Sequence, residues 1–274
     1  MSVIIISSDS YEKGQEMAKT TAESLGYGYL GRELLGTVAA KCGIPEAKLE
    51  KALDESPSFL GMPAKLQKRY MAYIQMATLD ELVKNDRVCH DLAAHLYVLG
   101  VSHVLKVRIL ADPDALAKET STEKRIPLEK AKKLLERRKK FHRRWSLDHF
   151  RLDETDPSQY DLVISLSQID SGEAVKIIRE TVGYRRFKPM TYSIKCMQDI
   201  ELASRVRATL LERFPDVRVR ADGTTLVVET RALKREKRKK AEAIKELAGN
   251  IPGVDYVEVH VISDIFRQAA ESFR

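Results

Sequence analysis

"SVIIISSDSYEKGQEMAKTTAESLG" (residues 2–26) is the stretch whose reading decides the fold. Residues 2–7 form a continuous β-branched apolar run, the pattern of a strand buried on both faces. A short polar turn follows. From Lys13 the spacing becomes helical, with Met17, Thr21 and Leu25 on one side and Gly26 as the stop. A turn between a buried strand and a helix N-terminus is where nucleotide-binding proteins hold phosphate. Such a turn needs glycines, because backbone amides must approach an anion closely. This one has a single glycine, Gly14, with Lys13 before it.

The pattern repeats outward from that unit. Helices are expected at 32–43, 45–56 and 63–84, the last with a broad Tyr/Met-rich apolar face that reads as core. Residues 87–100 read as a short strand entering a helix, and 102–111 as a strand. A long basic helix spans 127–145, a third buried strand 160–166, and a helix 171–183. Strands alternating with helices predict an α/β fold, a mainly parallel sheet flanked by helices. Its ligands bind at the carboxyl ends of the strands. Residues 184–195 break the pattern and read as a linker or an added strand. Beyond them come a helix (199–214), strands at 216–221 and 224–230 joined by Asp222-Gly223, a helix (234–249) and a strand (254–262). That order is a small α+β module, αββαβ. The expected division is therefore 1–184, a linker at 185–194, and 195–274.

The chain has 274 residues, is 43% hydrophobic and 32% charged, and carries a net charge of +7. It has no apolar run long enough to span a membrane. The N-terminus lacks a basic flank and reads as a strand, not a secretion signal. Cys42, Cys89 and Cys196 are few, odd in number and scattered, which favours free thiols and a cytoplasmic location. The charge surplus sits in residues 185–274, with 19 basic against 13 acidic residues. That surface could meet an anionic or protein partner. Nucleic acid is not expected, since no aromatic residues interleave the basic run. No metal site is expected either: His90 and His95 are five apart and do not converge on one helix face as an i,i+4 pair would.

The segment "GQEMAKTTAESLGYGYLGRELL" (14–35), with the strand and turn before it, resembles the cytidylate kinase-like family, a branch of the P-loop nucleoside monophosphate kinases. Ser7, Gly14, Glu16, Leu25, Gly26, Tyr29, Arg32, Glu33 and Leu34 match the family pattern. "RRKKFHRRWSLDHFRLDETDPSQYDLVIS" (137–165) is similar to its Arg-rich lid helix and the stretch that follows. The resemblance covers residues 2–182. It implies an ATP-dependent kinase, with Mg as the accompanying ion. Its nucleotide-phosphate positions fall on Ser7, Gly14 and Gln15 in the loop and on Arg137, Arg138 and Arg143 in the lid, with Lys13 a further phosphate-binding candidate that would replace a lost contact. Arg32 is the substrate-binding residue it implies. It assigns no catalytic residue here.

The departures bear on function. The family's loop glycines fall on Tyr11 and Lys13, and its loop-flanking arginines on Ser8 and Gln15. The segment that reads VIVGRGAD in the family is "VCHDLAAH" (88–95) here, with Asp91-Leu92 in place of Gly-Arg. The aspartate before the family's equivalent of Arg32 is Gly31. Phosphoryl transfer depends on positioning and on cations around the moving group. The expectation is therefore a divergent nucleotide-binding protein with an altered phosphate loop and weak or lost transfer, able to relay its ligand state to the C-terminal module. The alternatives are an active CMP-type kinase using ATP, and a non-enzymatic interaction or sensor protein that binds no nucleotide. The module itself is similar to BON domains through "VRVRADGTTLVVET" (217–230) and "IPGVDYVEVHV" (251–261).

Overall fold

The computed structural model describes residues 2–55, 57 and 61–263. Five parallel strands form one sheet: β1 (Val3–Ser8), β2 (Gly28–Leu30), β3 (Arg87–His90), β4 (Val104–Leu110) and β5 (Leu162–Ser165). Their order is β2-β3-β1-β4-β5, so β1 is central and the chain crosses over it between β3 and β4. Alternate residues of the strands face opposite layers. Ile4, Ile6, Val88, Val107 and Ile109 pack with α1 (Tyr11–Leu25) and α7 (Ser171–Val182). Val3, Ile5 and Cys89 face the other layer, with α2 (Leu34–Cys42), α3 (Glu46–Asp54) and α4 (Ala64–Leu82). The apolar run of β1 is buried from both sides, as its composition requires. The Tyr/Met face of α4 is core: Tyr70, Met71, Tyr73 and Ile74 are all buried.

Two long surface helices follow β4: α5 (Pro113–Lys124) and α6 (Leu128–Phe150). α5 has no counterpart in the sequence reading, because only Ala117 and Thr120 are buried along it. Its start signal is nonetheless written in the sequence. Asp112 caps it by accepting from the Ala115 amide at 2.7 Å, and Pro113 takes the first turn.

The second sheet is three-stranded, order β6-β7-β8: β6 (Arg218–Asp222), β7 (Thr225–Ala232) and β8 (Tyr256–Ser263). It carries α8 (Thr191–Leu210) and α9 (Lys237–Gly249), which completes the expected αββαβ order. Two readings are corrected. The segment read as linker or strand becomes the start of α8 at Thr191, where the Met190 amide donates to Ser193 Oγ at 3.1 Å. The helix expected after β3 does not form. Asp91, Leu92 and Ala93 take left-handed backbone at φ 67°, 57° and 57°, and only a short 3-10 turn follows. Among the described residues, no helix is long and apolar enough to cross a membrane.

α8 lies on α4, and their buried residues belong to one apolar core that continues into β7. Polar contacts reinforce the seam: Tyr73 donates to Glu212 at 3.0 Å, Arg207 to Gln75 at 3.0 Å, and Lys68 to the Pro215 carbonyl at 2.8 Å. Ile74, fully buried in this core, is a direct test of its packing. Ile74→Ala is expected to cost about 2–5 kcal/mol, read from the urea unfolding midpoint.

Candidate functional site

β1 ends at Ser8 and α1 begins at Tyr11, so Asp9 and Ser10 alone connect them. Their amides are used internally: Asp9 N–H donates to the Ile109 carbonyl at 3.2 Å and Ser10 N–H to Ser8 Oγ at 3.2 Å. Ser10 caps the helix, its hydroxyl accepting from Lys13 N–H at 3.4 Å and its carbonyl from Gly14 N–H at 3.1 Å. Residues 13 and 14 are thus already helical. A ring of amides pointing at an anion requires a longer loop with successive N–H groups turned inward.

Gly14 has a packing role. A Cβ at this position would collide with His90 Nε2 and lie 2.6 Å from Ser8 Cβ. The glycine lets α1 rest directly on the ends of β1 and β3. Tyr11 leans over the same place, its ring 5.1 Å from that of His90. Burial pushes the His90 imidazole down to about 4, against the pull of Asp91, so it packs as a neutral group.

Strand pairing then builds an ion cluster. Leu30 and Cys89 are register partners, so Arg32 and Asp91, each two residues further on, emerge side by side. Arg32 Nε donates to Asp91 Oδ2 at 2.6 Å, and its two terminal nitrogens reach Asp54 at 2.6 and 2.7 Å. Arg138 reaches Asp54 from α6 at 3.3 Å, and the Tyr11 ring lies 5.0 Å from the Arg32 guanidinium. Burial alone would raise the Asp91 carboxyl, but Arg32 outweighs it and holds that group below the ordinary carboxylate range.

A cavity of about 470 Å³ opens at the carboxyl ends of β1, β3 and β4, where the chain crosses the sheet. Ser7 and Asp9 form its floor with Arg108, which donates to Ser7 Oγ at 2.6 Å and to Asp9. Asp91, His90 and Tyr11 form one wall. The roof is α6, whose Leu135, Arg138, Lys139, His142 and Trp145 recur at helical spacing on one face. Behind them sits Glu154, buried between two imidazoles: His142 Nδ1 is 3.3 Å away and His95 Nε2 3.6 Å. Burial would raise the Glu154 carboxyl, yet the contacts with His142 and His95 prevail and bring it down to about 2. His95 also stacks on Tyr160, centroids 5.4 Å apart.

Of the residues expected to meet a ligand, Ser7 and Arg138 line this cavity. Lys13, Gly14, Gln15 and Arg32 do not; Gln15 instead donates to the Tyr11 hydroxyl at 3.3 Å. Arg137 is exposed and off the lining, and Arg143 is held by Asp153 at 2.7 Å on the outside of α6. The sequence reading omitted Arg108, His142 and Glu154. Arg108 carries a usable signal, a lone cation at the end of an apolar strand. Glu154 and His142 carry none, since nothing in their spacing shows that a helix folds back over them.

These features define an α/β protein with a ligand-sized cavity at the topological switch point, closed by a charged lid helix. The Cytidylate kinase-like family model matches residues 3–168, and the chain belongs to that family. Similar solved structures include an uncharacterized protein from Eubacterium ventriosum ATCC 27560, at 18% identity and TM-score 0.49, covering 68% of this chain and 100% of that one. Shikimate kinase from Bacteroides thetaiotaomicron matches at 11% identity and TM-score 0.42, covering 67% and 99%. Dephospho-CoA kinase from Campylobacter jejuni matches at 16% identity and TM-score 0.35, covering 65% and 96%. No curated protein matches the chain.

Two outcomes test the site's construction. In a free helix, Gly→Ala would add roughly 1 kcal/mol of stability. Gly14→Ala is expected instead to cost about 1–3 kcal/mol, because its methyl meets His90 and Ser8; chemical denaturation reads the sign. The second outcome concerns Glu154. Its carboxyl is lowered from 4.5 to about 2, so its contribution is complete above the ordinary value and lost as pH falls from there toward about 2. Over that window the wild-type chain should lose on the order of 3 kcal/mol more than Glu154→Gln, measured by urea unfolding at each pH.

Proposed function

We propose that this chain is a nucleotide-binding member of the cytidylate kinase-like family in which phosphoryl transfer is weak or lost. The observation that carries the reading is the two-residue join between β1 and α1. A transferred phosphoryl group needs donors arranged around its oxygens before reaction. Here the amides of residues 9, 10, 13 and 14 are engaged within the protein. The cations nearest the cavity are engaged too: Arg108 with Asp9, Lys132 with Asp114 at 2.9 Å, and Arg138 with Asp54. Lys139 has no ion pair among the described residues. The cavity suits a nucleoside-sized group. The residues present do not fit a triphosphate held with Mg for transfer.

A ligand would lie beneath α6, contacted from the lid by Arg138, Lys139 and His142 and from the floor by Ser7. Its presence would reach the C-terminal unit, which we take to be BON-like, through packed elements. Asp54 ends α3, α3 packs on α4, and α4 packs on α8. Equilibrium titration with fluorescent ATP and CMP analogues, beside a coupled assay for ADP, tests the reading. Saturable binding without CMP-dependent ADP release is expected, with or without Mg. Sustained ADP release would overturn the loss of transfer, and absence of binding by either analogue would overturn the nucleotide reading.

A further inference from the structure

We propose that Asp91 makes the cavity reject phosphate at the Arg32 end and accept an uncharged or cationic hydrogen-bond donor there. The inference concerns the cavity wall and stands whether or not the ligand is a nucleotide. Arg32 is the cation that the family pattern offers to a phosphorylated substrate, yet the cavity does not reach it. Tyr11 and Asp91 stand between, both on the lining, with the Tyr11 ring against the guanidinium and Asp91 Oδ2 bonded to Nε. Three of the guanidinium's donor directions are taken, one by Asp91 and two by Asp54. Two arginines, Arg32 and Arg138, face two carboxylates, Asp54 and Asp91, so the cluster is neutral before any ligand arrives.

What the cavity meets is therefore a carboxylate. The Asp91 side chain is 25% exposed, and Oδ1 carries no hydrogen bond among the described residues. An acceptor-only oxygen on the wall pairs with a hydroxyl, amide or ammonium group and repels a phosphate oxygen. The neighbouring His90 is neutral and offers no charge in compensation. Asp91 is also built in at a cost. It heads three successive left-handed residues, a conformation for which the family pattern supplies glycines at 91 and 93. Asparagine and glycine both tolerate that backbone, so the carboxylate can be removed without disturbing the turn. Asp54 continues to hold Arg32 in either variant.

The experiment uses inorganic phosphate as probe on the full chain, by isothermal titration and by 31P line broadening. Wild type should show no saturable Arg32-dependent phosphate binding. Asp91→Asn and Asp91→Gly leave the cluster with one net positive charge, and each should gain about tenfold or more in phosphate affinity. Adding Arg32→Gln to Asp91→Gly should abolish the gain. Arg32-dependent phosphate binding by the wild-type chain would overturn the proposal. So would folded Asp91 variants whose phosphate affinity stays at the wild-type level, or loss of folding in both variants, which would make Asp91 structural. A gain of phosphate binding by the variants in a chain that binds neither ATP nor CMP would support this inference while ending the nucleotide reading.

Discussion

β1 is held by parallel pairing to β3 from Val3 to Ile6 on one side and to β4 from Val3 to Ser8 on the other. Its carboxyl end therefore cannot shift, and α1 settles onto it directly because residue 14 has no side chain to keep Ser8 and His90 away. Close seating leaves two residues for the connection. The length of the join and the burial of α1 are one constraint seen from two sides. A longer, outward-facing loop would lift the first turn of α1 from the sheet and uncover Met17, Ala18 and Ala22, which are now fully or almost fully buried.

The cavity takes its character from elements remote in sequence. α6 brings Arg138, Lys132 and His142 over the strand ends, and carboxylates from three other segments meet them: Asp54 from α3, Asp114 from α5 and Glu154 from the turn past α6. Burying a charge is costly unless its partner and hydrogen bonds are in place. Arg32 meets that condition through three bonds of 2.6–2.7 Å. Glu154 has His142 Nδ1 at 3.3 Å and His95 Nε2 at 3.6 Å beside its carboxylate, and its backbone is held as well: Ser146 Oγ accepts from its amide at 3.2 Å and Tyr160 donates to its carbonyl at 2.8 Å. The left-handed turn at 91–93 works against the fold by roughly 1–2 kcal/mol per residue. Fully burying the Leu92 side chain returns about 1.5–3 kcal/mol, and the Asp91–Arg32 bond adds to that.

Much of the fold was legible because hydrophobic period is local information. The continuous apolar run of β1, the alternation along β4 and β7 and the helical spacing of α1, α4 and α7 each follow from residues a few positions apart. Two failures have the same origin. α5 buries too little to show a period, and the backbone at 91–93 is set by contacts with Arg32 and the core, not by its own residue types. The site was legible only in outline. Its position at the strand ends follows from α/β topology, and Arg138 follows from the basic lid. Arg137 and Arg143 have the same composition as Arg138 but lie on other faces of α6, and which face turns inward depends on what α6 packs against.

The sequence by itself determined that a buried strand enters a helix through a turn poor in glycine, and that a second small α+β unit follows. Those are properties of residue volume, hydropathy and backbone freedom within a short window. Only the tertiary structure decided that Gly14 serves packing, that Asp91 stands before Arg32, and that Glu154 lies between His95 and His142. Each of these joins residues brought together by strand register or by a helix folding back over the sheet. The sign of the charge that a cavity presents depends on which of two paired ions stands in front, and that order exists only in three dimensions.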